Sequence, residues 1–334
     1  MSTITDDKAT AIRAERFGAG LLLAVASAVS FGLSGSVASS LFDTGWTPGS
    51  VVLLRVGLAA LVLAPFGLRS LRRSGTPWRA VRRQAPTILI YGLLAVAASQ
   101  FCYFSAVRHM EVGPAILVEY TSPAAVVVWL WLRHGQRPTA ITVLGAVLAA
   151  LGLVLVLDLT GGGIGLSIAG VLWALGAMLG AAFYFVLNAE GGIALPPIAL
   201  AWLGLVSGAA ALGLLGATRL MPVHAATHTV RLADTDVPWW VAILVLGVVT
   251  AAVAYATGIA AGRLLGARLA SFVALLEVVS SVLFAWLLLA ELPAAVQVLG
   301  GLLILAGVVA VKLGEPAVRS DPAAVRAEEP AVGR

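Results

Sequence analysis

The chain has 334 residues, 60% of them hydrophobic and only 11% charged, with a formal net charge of +5 and a mean hydropathy of +1.01. Soluble domains carry about 25% charged residues, so this balance excludes an ordinary water-soluble enzyme and describes an all-α polytopic membrane protein. A single cysteine, Cys102, leaves no disulfide framework or thiolate metal cluster, and basic residues confined to short loops between apolar runs point to a membrane face, not to nucleic acid.

In chain order, residues 1–16 are polar and mixed in charge, and read as a disordered cytoplasmic N-terminus. The apolar run that follows is too long for the core of a cleavable signal. Crossing ~30 Å of hydrocarbon takes about 20 apolar residues. Ten runs of that kind are predicted as helices, near 17–41, 47–68, 86–107, 113–132, 138–158, 166–188, 196–217, 238–261, 268–289 and 294–313. The longer connections are 69–85 and 218–237, Gly161-Gly162-Gly163 reads as a turn, and residues 314–334 read as a disordered cytoplasmic tail. With the N-terminus inside, the inside loops and tails carry 17 Lys and Arg and the outside loops carry 3. That bias puts both termini in the cytoplasm of a multi-pass protein of the inner (plasma) membrane.

The chain also repeats. A shift of 155 residues lays Gly92, Arg108, Trp131, Pro138, Gly145 and Gly152 on Gly247, Arg263, Trp286, Pro293, Gly300 and Gly307. Each copy, 17–158 and 166–313, holds five spans. An odd number forces the second copy to enter the membrane upside down, a common build for secondary transporters with polar groups at mid-membrane.

Several polar groups lie inside these spans, where hydrocarbon makes them costly. Glu119 lies about 9 Å, and Arg55 about 12 Å, below the outer end of their spans, so a buried Arg55–Glu119 pair is geometrically open to them. Glu277 falls near the midplane with no cation at its depth. It is therefore a candidate for proton exchange, with Glu119 the second, although hydrogen bonding to Ser280 or Ser281 would equally accommodate it. Gln100 and Tyr103 share a helix face. With Arg55, Tyr120, Tyr184 and Tyr255 they are candidates to line a substrate cavity, the alternative being interhelical hydrogen bonding. Asn188 and Thr257 are further polar groups on the same spans. Glycines four apart (Gly176/Gly180, Gly204/Gly208, Gly258/Gly262/Gly266) read as close helix contacts, and Pro123, inside a span, is the hinge candidate. His224 and His228 have metal-ligand spacing, with Asp234 or Asp236 as further donors, but no full zinc motif exists and no metal is assigned. No phosphate-binding Gly loop ends in Lys, so ATP-driven pumping and cofactors are not implied. His109 has no evident Ser or Asp partner for an intramembrane enzyme.

Three stretches carry a family likeness. Ala115–Arg137 (AILVEYTSPAAVVVWLWLRHGQR) and Leu275–Leu292 (LLEVVSSVLFAWLLLAEL), each followed by a Gly-rich span, resemble the fourth and ninth spans of the drug/metabolite transporter superfamily, EamA family. Two departures stand out: Val278 takes the place of Pro123 in the second copy, and His134-Gly135 replaces the acidic residue that often closes the fourth span. The resemblance implies a secondary transporter, an exporter of a small metabolite such as an amino acid; alternating access is the expected cycle, and the carboxylates Glu277 and Glu119 in apolar spans point to protons as the coupling ion. A lipid or peptide flippase, or an uncoupled pore-like facilitator, is the alternative. Its expected partners are the metabolite, the bilayer and protons, and the chain is expected to act as a monomer or homodimer.

Overall fold

In a computed structural model, the described residues are 3–135, 138–157, 167–189, 195–233 and 235–314. Gly161–Gly163, Asp234, the side chain of Asn188 and the tail from 315 lie outside them. The molecule is helical: α1 Thr3–Asp43, α2 Pro48–Arg73, α3 Trp78–Arg83, α4 Ala85–Ile90, α5 Ser99–His109, α6 Val112–Glu119, α7 Ser122–His134, α8 Ala140–Val156, α9 Ile168–Ala189, α10 Pro197–Ala217, α11 Trp239–Leu244, α12 Ala254–Leu265, α13 Ala267–Val273, α14 Leu276–Leu289 and α15 Ala295–Gly314. Among the described residues, eight helical stretches are long and apolar enough to cross a membrane: Glu15–Asp43, Pro48–Arg73, Ala85–His109, Val112–Arg133, Pro197–Ala217, Trp239–Leu265, Leu269–Leu289 and Ala295–Gly314. Ala140–Val156 and Ile168–Tyr184 are shorter apolar helices. Helix α1 begins at Thr3, inside the stretch expected to be disordered.

Local chemistry sets the helix ends. Thr47 caps α2, its side chain accepting from the Ser50 amide, with Pro48 opening the helix. Thr139 caps α8 in the same way. Helix α7 closes on Gly135 and α14 on Ala290, both in the left-handed region (φ 64° and 58°). Gly135 and Ala290 are 155 positions apart. At Ala290 the turn is held by the Glu291 amide, which donates to the Ala285 carbonyl at 3.2 Å.

Two helices widen into π geometry, at Tyr91–Ala98 between α4 and α5 and at Val245–Val253 between α11 and α12. A π turn widens the helix and redirects the chain beyond it. Gly92 and Gly247 sit in these segments at close contacts. A Cβ on Gly92 would lie 2.7 Å from the Gly204 carbonyl of α10, and one on Gly247 would lie 2.5 Å from Leu58 of α2.

The tightest crossing joins α8 to α15. A Cβ on Gly145 would lie 2.6 Å from the Gly307 carbonyl, and one on Gly152 would lie 2.5 Å from that of Gly300, with the reverse contacts just as close. Backbones meet there with no side chain between them. The other predicted close contacts divide. Gly176, Gly180, Gly204 and Gly208 each abut a neighbouring helix and Gly258 abuts Ser27, whereas nothing lies within 4 Å of a Cβ on Gly262 or Gly266.

Between α10 and α11 the chain folds over the Trp46 end of the bundle, where β1 (Val230–Leu232) and β2 (Thr235–Val237) pair antiparallel with Arg231 opposite Asp236. The Trp46 indole donates to the Ala226 carbonyl at 2.8 Å, the Thr47 amide to His224 at 3.1 Å, and the Ala233 amide to Leu288 at 3.2 Å. A loop expected only to be long is thus tied to α1, α2 and α14.

Gly152→Leu should force α8 from α15 and lower stability by about 1–3 kcal/mol, the usual cost of overpacking. Gly57→Ala, with nothing within 4 Å of the added Cβ, should be neutral or slightly stabilising. Thermal unfolding in detergent compares the two.

Candidate functional site

A cavity of about 470 Å³ lies between α1, α2, α5, α6, α7, α9, α12, α13, α14 and α15. Arg55, Gln100, Tyr103, Glu119, Tyr120, Pro123, Tyr184, Tyr255 and Glu277 all contribute to its wall. Residues chosen from spans far apart in sequence therefore meet at one space. Its wall continues to Ser271 and Lys312 at the far end from Trp46.

Arg55 is only 4% exposed, and its guanidinium is held by neutral acceptors. Nε donates to Thr250 Oγ1 at 3.3 Å, Nη2 to the Thr250 carbonyl at 2.9 Å, and Nη1 to Gln100 Oε1. The Thr250 hydroxyl donates to Leu246 at 2.8 Å, which leaves its lone pairs toward Arg55. The guanidinium carbon also sits 5.2 Å from the centre of the Phe104 ring. The Arg55–Glu119 pair that matched depths allowed does not form. Thr250 and Gln100 take the guanidinium instead, and Glu119 and Glu277 act on it only across space.

Gln100 turns its Nε2 to the Tyr255 hydroxyl at 3.4 Å, and Tyr255 packs edge-on against Phe31 at 5.1 Å. Tyr184 stacks at a tilt on Tyr91, with ring centres 6.0 Å apart. The Tyr103 hydroxyl occupies room left by Gly35, where a Cβ would come within 2.5 Å of it.

The two carboxylates differ. Glu277 accepts from the Tyr120 hydroxyl at 2.7 Å, and that hydroxyl also points at the Ala274 carbonyl at 3.2 Å. Tyr120 lies at the break between α6 and α7, and Glu277 just past the break between α13 and α14, so the bond joins the two halves. Ser280 and Ser281 do not take the role that sequence allowed them, since Tyr120 is the partner. Glu119 accepts no hydrogen bond among the described residues, and its carboxylate lines the cavity. Pro123 stands in the first turn of α7, directly after the Tyr120–Thr121 break. In the second half of the chain a similar break occurs without proline, through a tight turn in which the Glu277 amide donates to Ala274 and the Val278 amide to Leu275.

Three residues that sequence reasoning passed over matter here. Thr250 anchors Arg55, and its only signal was a hydroxyl in an apolar run. Lys312, counted only as a loop charge, reaches the cavity wall while its Nζ donates to the Ser271 carbonyl at 2.6 Å. Glu291 closes the Trp46 end: one carboxylate oxygen accepts from the Val112 amide at 3.0 Å, at the start of α6. Elsewhere, His109 Nδ1 meets the Ser105 carbonyl at 2.7 Å. Among the described residues no cluster of three His, Cys, Asp or Glu side chains could hold a metal, and Asp234 lies outside them.

These features, a bundle of membrane-length helices around a charged internal cavity, define a polytopic membrane protein of the transporter class. The EamA-like transporter family model matches residues 18–158 and again 168–313, and the chain belongs to that family. It is 32% identical over 171 residues to the threonine/homoserine exporter RhtA of Salmonella typhimurium strain SL1344, covering 48% of this chain and 51% of that one. The exporter of the same name from Escherichia coli K12 is 31% identical over 151 residues, covering 42% and 45%. The chain thus matches about half the length of these curated relatives. A solved chain described as "Crystal structure of protein" shares the fold, with a TM-score of 0.57 at 21% identity over 89% of this chain and 97% of that one.

Burial pushes the Glu291 carboxyl up from 4.5 to about 7; the Val112 amide opposes the shift, and Glu111 and Asp43 add to it. A carboxyl that holds its proton more tightly when latched takes one up on closing. The latch is therefore unhindered below about pH 4.5, weakens as pH rises toward 7, and changes little beyond. A fluorescent label on Leu292→Cys, with Cys102 replaced by Ser, should gain mobility over that window. Adding Glu291→Gln should flatten the profile.

Proposed function

We propose that this chain is a secondary transporter that exports a small metabolite, an amino acid or a close relative, by alternating access coupled to protons. The observation that carries the reading is the Tyr120–Glu277 hydrogen bond across the wall of a cavity to which both halves supply charged and aromatic groups. Helix ends that meet at mid-bundle, with ionisable groups between them, are the usual build of a transport site. The names of the partial relatives, threonine/homoserine exporters, support the choice of solute and the outward direction.

The chain crosses the plasma membrane ten times as two five-helix repeats of opposite orientation, with both termini in the cytoplasm. The two matches to the family model support the repeat. So does the crossing of α8 and α15: a shift of 155 turns the Gly145–Gly307 pair into Gly300–Gly152. The same shift carries the first π segment onto the second. Loop charge supports the orientation, and it places the Lys312 end of the cavity at the cytoplasmic face and the Glu291 latch outside.

Transport follows from rocking one half against the other about the breaks at Tyr120–Thr121 and Ala274–Leu275. Glu277 exchanges a proton as its bond to Tyr120 forms and parts. Proteoliposomes given a pH gradient should accumulate amino acid, and Glu277→Gln should abolish the dependence on the gradient while leaving exchange of solute for solute. Gradient-driven flux unchanged in Glu277→Gln would remove the coupling role.

A further inference from the structure

Resting on the reading of the cavity as a transport site for an amino-acid-like solute, the arrangement of its charges assigns a finer role. We propose that Arg55 and Glu119 are the two poles of a subsite for a zwitterion: the guanidinium holds the α-carboxylate of the solute and the Glu119 carboxylate holds its α-ammonium group.

A guanidinium has five N–H donors. Arg55 commits three, one each on Nε, Nη1 and Nη2, to Thr250 and Gln100. That leaves one donor on each terminal nitrogen for an incoming carboxylate. Arg55 is on the cavity wall, and its clamped side chain and the Phe104 ring beneath it fix the plane of the fork. A pre-positioned fork loses less freedom on binding than a loose lysine would.

Glu119 is the complementary pole. It lines the same cavity, lies within electrostatic reach of Arg55, and accepts no hydrogen bond among the described residues. Glu277, by contrast, already accepts from Tyr120. A carboxylate kept in a mostly apolar span with no protein donor suits a cation that arrives with the solute. The assignment divides labour between the two acids: Glu119 recognises, and Glu277 couples. It also accounts for Arg55 being held by the neutral acceptors Thr250 and Gln100 and not paired with an acid, because an ion pair between the two poles would fill the subsite.

The test reads the ligand before the protein. Counterflow of labelled L-threonine in proteoliposomes of the unaltered chain is challenged with unlabelled L-threonine, L-threonine amide (no carboxylate) and N-acetyl-L-threonine (no ammonium). Loss of either charged contact should weaken competition about tenfold or more. In Glu119→Gln, checked for folding by gel filtration and thermal unfolding, free and N-acetylated threonine should compete within about threefold of each other, since the pole that tells them apart is gone. Glu119→Asp should restore part of the preference. Equal competition by all three compounds in the unaltered chain, or an undiminished preference for the free amine in Glu119→Gln, overturns the subsite while leaving amino-acid transport standing. Absence of threonine counterflow overturns both.

Discussion

Hydrocarbon rejects charge, and three charged side chains are nonetheless held at the heart of this bundle. Each would cost about 2.5–3.5 kcal/mol at the centre of an isolated membrane helix. The fold removes that cost by giving the groups a shared space away from lipid. Arg55 is solvated by a threonine, a glutamine and an aromatic face. Glu277 is solvated by a tyrosine from the other half. Glu119, which accepts no hydrogen bond among the described residues, faces the cavity within the fields of Glu277 and Arg55. Breaking a helix is tolerable in a membrane where the freed backbone groups face protein or cavity. Both breaks, at Tyr120–Thr121 and Ala274–Leu275, lie against the cavity that these groups line.

Close helix contacts make that space possible. The α8–α15 crossing brings backbones together through four glycines, and the π segments at Tyr91–Ala98 and Val245–Val253 bend the helices that bring Gln100 and Tyr255 to the cavity wall. At the opposite end the connection between α10 and α11 and the Glu291–Val112 bond hold the Trp46 face together. One end is thus sealed by a few hydrogen bonds, whereas the cavity runs toward the other, an asymmetry that suits a molecule caught on one side of a two-sided cycle.

Much of this was legible in the chain itself because membranes leave few options. Length and hydropathy place the helices, and a charged residue in an apolar run has nowhere to go but an internal cavity. Arg55, Glu119 and Glu277 therefore converge as their chemistry demands. Pairing was not legible. Equal depth made Arg55 and Glu119 candidates for each other, but depth says nothing of rotation about the helix axis, and the guanidinium turns to Thr250. The break in the second half of the chain escaped notice because it needs no proline, only a tight turn at Ala274–Leu275. Glu291 was set aside because the first half has His134-Gly135 where the family often has an acid, and its partner, a backbone amide, is a group nearly every residue carries; the hairpin at 230–237 escaped because three-residue strands leave no periodicity to read.

The central claim is that one cavity, closed at the Trp46 end here, opens to that side during turnover. Ala274→Cys, on the cavity wall, in a chain whose Cys102 is replaced by Ser, can be probed with a membrane-impermeant maleimide from either face of oriented vesicles. At rest, labelling should occur from the Lys312 side and not from the Trp46 side, and it should appear from the Trp46 side only while amino acid is being exchanged. Labelling from both sides at rest, or none from the Trp46 side during turnover, would contradict the account.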